Sequence, residues 1–176
     1  MRKFLLSTIA AICGLLAAFF IVGAFLPSDY QVERSTVIDA PPATVFEQVN
    51  NLEEYVAWMP WDDEDPNMQI TWGQSRVGEG ASYSWTGDES TGSMTIAESV
   101  PNERVVNSLD FDEMGQAIGY FNLEAVEGQK TRITWGIEGQ ARNTMDRWFG
   151  LVMDGMVGPY FERGLETLKQ RVETPQ

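Results

Sequence analysis

The chain has 176 residues and a formal charge of −14, from 26 Asp and Glu against 12 Lys and Arg, with no histidine and one cysteine. A surface this acidic repels phosphate backbones and anionic headgroups, which argues against nucleic-acid binding and against a basic membrane patch. With no histidine, and with Cys13 inside an apolar run, Ser-His-Asp and Cys-His centres, His-liganded zinc and an intradomain disulfide are all excluded.

The first element is Phe4 to Leu26, 23 residues without a charged side chain. As a helix it reaches about 34 Å, enough to cross a hydrocarbon core of about 30 Å. A cleavable signal has a shorter apolar core and a small-x-small site, for which Val22, Ala24 and Leu26 are poorly suited, so the segment reads as an uncleaved anchor. Arg2 and Lys3 precede it, whereas Asp29 and Glu33 follow it. That asymmetry predicts a cytoplasmic N-terminus and an extracytoplasmic domain, periplasmic in a Gram-negative cell. The organisation expected is residues 1–26 as cytoplasmic tip and transmembrane anchor and residues 27–176 as one domain. All 26 acids but only 10 of the 12 basic residues fall in that domain, for a formal charge of −16.

Beyond the anchor, Tyr30 to Ile38 alternates as a strand until Ala40-Pro41-Pro42 breaks it. A helix over 43–49 follows, with Pro42 suited to its first turn, then a short helix over 52–57. Trp58-Met59-Pro60-Trp61 leads into the acidic loop 62–66, where Pro66 and a missing glycine argue against a calcium loop. Alternating segments over 68–72, 81–86, 93–100, 104–111, 116–125 and 131–138, separated by turn residues, complete a meander of about seven strands. Apolar residues from Met145 to Val172 then recur every three or four positions, as one long amphipathic helix with a kink expected near Pro159.

This order of elements, with the segments VERSTVIDAPPATVFEQVNNLEEYVAW (32–58), MPW (59–61), GEGASYSW (78–85), MTIAESVP (94–101), TRITWGIEG (131–139) and MDGMVGPYFERGLETLK (153–169), resembles the START-like (SRPBCC) superfamily. The branch it looks most like is polyketide cyclase/dehydrase and lipid transport. The resemblance implies an α+β helix-grip fold, a curved antiparallel sheet wrapped on a long C-terminal helix, with an apolar cavity between them. It implies a small hydrophobic ligand, lipid or polyketide-like. Fold alone does not set function, and a cyclase- or hydratase-type enzyme and an acidic interaction module with a filled core remain alternatives.

One face of each segment supplies the candidate ligand-binding set. It comprises Tyr83, Trp85, Met94, Leu109, Phe111, Phe121 and Trp135 from the strands, with Trp148, Val152 and Met156 from the helix and Trp61 from the loop. The alternative is that these side chains fill one another's space as an ordinary core. Arg34 shares a strand face with Val32, Thr36 and Ile38. It either projects a cation toward the cavity to hold a ligand carboxylate or carbonyl, or sits at the sheet margin paired with an acid. Glu98 is the best candidate for a cavity carboxylate, being in phase with Met94 and Ile96. No catalytic motif, cofactor or metal is implied, and no protein partner is indicated.

Overall fold

A computed structural model describes residues 2–60, 65, 67–88 and 90–174. Helix α1 (Arg2–Phe25) opens the chain. Strand β1 (Asp29–Ile38) and helices α2 (Pro42–Asn50) and α3 (Leu52–Trp58) follow. Six strands come next: β2 (Gln69–Trp72), β3 (Ser82–Thr86), β4 (Thr91–Val100), β5 (Arg104–Asp110), β6 (Gln116–Val126) and β7 (Lys130–Gln140). Helices α4 (Thr144–Gly150) and α5 (Met153–Glu173) end the chain.

The strands form a single antiparallel sheet in the order β1-β7-β6-β5-β4-β3-β2, so the first strand closes onto the last. Period-two alternation puts Val32, Ile38, Tyr83, Trp85, Met94, Ile96, Phe121, Ile133 and Trp135 on one buried face. Helix α5 crosses that face, and α2 and α3 close one end. This is the helix-grip arrangement, α+β in class. Pro42 opens α2 at a position where its missing N–H costs nothing. Asn51 serves two helices, its N–H donating to Glu47 O at 3.1 Å to end α2 and its Oδ1 accepting from Glu53 N at 3.0 Å to begin α3.

The packed end is aromatic. Trp135 stacks on Phe161 with ring centres 4.0 Å apart, and Trp58 meets Trp135 and Phe121 edge-on. Trp58 therefore belongs to the core, with its Nε1 donating to Gln48 O at 3.0 Å. Arg171, near the end of α5, ties it to α2 and α3 through Gln48 and Glu54.

Two expectations are corrected. The C-terminal helix breaks at Leu151–Val152, not at Pro159, which lies within continuous α5. Pro159 is exposed and the residue four before it is the exposed Gly155, so the carbonyl that loses its donor can be solvated. Glu98 leaves the face of Met94 and Ile96, because a bulge between Ile96 and Glu98 shifts the register; it is exposed and pairs with Arg104 at 3.6 Å.

Candidate functional site

Between the concave face of the sheet, α3 and the first half of α5 lies a cavity of about 300 Å³. Six of the sequence-selected residues line it: Tyr83, Trp85, Leu109, Phe111, Trp135 and Met156. A larger hollow of about 690 Å³ lies at one end of the sheet, bordered by Asp110, Asp112, Glu138 and Asp146. It is lined by a mixture of charged, amide and apolar side chains, Arg142, Ile118 and Phe149 among them, whereas the smaller space is set between the buried faces of sheet and helix.

Two facing positions on neighbouring strands present little side-chain bulk to the cavity. Asn107 of β5 lies opposite Gly119 of β6, so a short amide faces a residue with no side chain where the adjacent concave positions hold Leu109 and Phe121. Asn107 is only 2% exposed, and its Oδ1 has no hydrogen-bond partner. A buried unpaired amide oxygen costs about 1–3 kcal/mol, which a bound donor would recover.

The rest of the polar lining is phenolic. Tyr55, Tyr83 and Tyr160 all reach the cavity. Burial pushes the Tyr83 hydroxyl above its ordinary range, and burial raises Tyr55 well above its own, with smaller contributions from Tyr83 and Tyr160. Tyr55 and Tyr83 stay neutral hydroxyls at physiological pH. Among the described residues, no carboxylate, lysine or arginine lines the space.

The other sequence-selected residues lie elsewhere. Met94 and Phe121 face the same side of the sheet but are fully enclosed by neighbours, 1% and 0% exposed, as core. Val152 is 52% exposed at the break between α4 and α5. Trp148 turns away to α1, stacking on Phe19 at 4.9 Å and donating from Nε1 to Phe19 O at 3.3 Å. Arg34 lies at the sheet margin and binds Asp154 and Glu162 of α5, each at 2.7 Å. It crosses the helix at Gly158, where a Cβ would overlap the guanidinium. That pairing holds the Asp154 carboxyl below its usual range. Trp61 and most of the acidic loop fall outside the described residues.

Sequence reasoning missed Tyr55, Met59, Asn107, Val157, Tyr160 and Phe161. Asn107 carried a signal, since it sits between Val105 and Leu109 in the alternation of β5 and is therefore a polar residue at a core-facing position.

On the opposite, convex face, the Tyr120 hydroxyl donates to Glu33 Oε1 at 2.5 Å and accepts from Gln31 Nε2 at 2.6 Å. Burial, and then the hydrogen bond to Glu33, push this hydroxyl up to about 12.

The fold has many solved relatives. A Chromobacterium violaceum protein aligns with a TM-score of 0.61 at 16% identity, covering 83% of this chain and 99% of its own. A Helicobacter pylori hypothetical protein aligns with a TM-score of 0.63 at 10% identity, covering 83% and 89%. The Aha1 dimer of Colwellia psychrerythraea gives 0.56 at 16% identity, covering 81% and 96%. At these identities the likeness is one of fold. No curated protein matches the sequence. The family model described as polyketide cyclase / dehydrase and lipid transport matches residues 29–173, and the chain belongs to that family.

Proposed function

We propose that this protein is a membrane-anchored binding protein that holds one small, neutral and largely apolar molecule between the sheet and α5. The observation that carries this reading is the cavity, walled by aromatic and apolar side chains and containing the unpaired Asn107 Oδ1. At about 300 Å³ it lies at the lower end of the range of small-molecule sites, and its few polar groups are of the kind that fix a ligand's orientation. Asn107 Oδ1 calls for a donor such as a hydroxyl or amide N–H. With no cation in the described lining, a buried carboxylate would lack a counter-charge, so a neutral ligand fits best. The described lining also lacks a carboxylate to move protons, which supports binding over cyclase or hydratase chemistry.

Organic extraction of the purified protein followed by mass spectrometry should recover a neutral amphiphile, and the neutral dye N-phenyl-1-naphthylamine should bind and be displaced by it. An empty extract together with no dye binding would overturn the reading.

The anchor rests on α1, the one helix among the described residues long and apolar enough to cross a membrane and almost wholly unburied. With Arg2 and Lys3 holding its N-terminus inside, alkaline phosphatase fused after Gln176 should be active in cells. An inactive fusion would overturn the orientation.

A further inference from the structure

We infer that the corner between α4 and α5 is immersed in the outer leaflet of the bilayer that holds α1, and that the cavity exchanges its ligand with that leaflet. This rests on the anchor and the binding site proposed above.

The contact between α4 and α1 sets the depth. Phe19 lies six residues before the end of α1, about 9 Å along its axis, and Trp148 stacks on it. Gly23 makes the approach possible, since a Cβ there would strike Thr144 and the Trp148 indole. Arg147 fixes the level, its Nη1 donating to Ala24 O at 2.9 Å and Leu26 O at 2.8 Å, two carbonyls that the end of α1 leaves without a helical partner. A span that enters the bilayer near Leu26 therefore carries Trp148 into the interfacial layer, where tryptophan is favoured.

An apolar strip adjoins this contact, with the acidic hollow of Asp110, Asp112, Glu138 and Asp146 on its far flank beside Phe149. Met145, Phe149, Leu151, Val152 and Met156 are each more than half exposed, and they run from the α1 contact across the corner onto α5. Met156 is the last of this line and also a wall of the cavity, so the patch leads to the opening. The polar side of α5 is turned away, with Asp154 and Glu162 engaged by Arg34 over β1. An acidic domain gains nothing from anionic headgroups, so the occupant of this patch is the apolar part of the leaflet, entered as an amphipathic element enters it.

The test uses the full chain reconstituted in phosphatidylcholine vesicles. In a Cys13→Ala background, single cysteines replacing Phe149, Val152 and Glu166 are labelled with an environment-sensitive fluorophore. Labels at 149 and 152 should be quenched by lipid-borne nitroxide and the label at 166 by aqueous iodide only, with no dependence on salt or on added phosphatidylglycerol. The double variant Phe149→Glu, Val152→Glu should slow uptake of N-phenyl-1-naphthylamine from donor vesicles by about tenfold, leaving its equilibrium affinity unchanged. Water-exposed labels at 149 and 152 in a chain that resists carbonate extraction would overturn this surface alone, as would uptake that the double variant does not slow. Release by carbonate would overturn the anchor and this surface together. Failure of the wild type to take up dye, with both labels in lipid, would overturn the binding site and the exchange route while supporting the immersion.

Discussion

The two halves of α5 meet the same sheet and behave differently. From Gly158 onward the helix buries Phe161, Gly164, Leu165 and Leu168, whereas before it only Met153 is buried and Met156 remains 58% exposed. The sealed half holds the fold together. The loose half leaves a void that an interior packed at ordinary density would close. Binding space here is local under-packing, tolerated because stability is concentrated at the other end.

Truncation at each end gives the largest contrast. Leu168→Ala should cost about 2–5 kcal/mol in urea unfolding, because a fully buried side chain leaves a hole. Met156→Ala should stay within about 0.5 kcal/mol while weakening dye binding. Equal losses from the two would mean that the halves are not distinct.

Asn107→Leu should stabilise the domain by about 1 kcal/mol, since it removes an unpaired buried amide oxygen and fills space opposite Gly119. The same variant should lose preference for 2-naphthol over naphthalene. A destabilised variant that keeps the preference would show that Asn107 serves packing, not recognition.

The convex face offers a smaller effect. Because the Tyr120 hydroxyl is raised to about 12 when folded and titrates near 10 when unfolded, its contribution to stability is whole below pH 10 and disappears as pH climbs through about 12. Glu33→Gln should lower the tyrosinate midpoint seen in near-ultraviolet absorbance, though part of the rise should persist because burial is its larger cause. A midpoint that does not move would remove Glu33 as a cause.

The smallest expected change is at the sheet margin. Asp154 is depressed by Arg34, so its stabilising contribution is present above the ordinary carboxylate pKa and is lost as pH falls through the lowered one. Arg34→Gln should return the Asp154 midpoint, followed by NMR titration, toward 3.8.

How far the sequence could be read follows from which periods survive in it. Strands with a buried face alternate strictly, so Tyr83, Trp85, Leu109 and Trp135 could be assigned to the concave side from spacing alone. The phase of a helix is legible only while the helix is unbroken. Reading 145–172 as one helix put Trp148 and Val152 on the face of Met156, but the break at Leu151–Val152 resets the phase, so only Met156 of the three reaches the cavity, together with Tyr160 and Phe161 further along α5. The bulge after Ile96 has the same effect on β4 and turned Glu98 outward. Arg34 went to the margin because Asp154 and Glu162, eight residues apart on α5, form a receptor for it that only the packed helix creates.

Only Leu26, Pro27 and Ser28 separate α1 from β1, a connector that spans about 10 Å at most. With α1 in a bilayer and a ligand in the cavity, both as proposed above, so short a tether forbids the domain from leaving the membrane to carry that ligand across an aqueous gap. Donor and acceptor must then come within reach of the membrane plane. Encounters are set by lateral diffusion and by the high effective concentration of neighbours in two dimensions, not by the protein's bulk abundance.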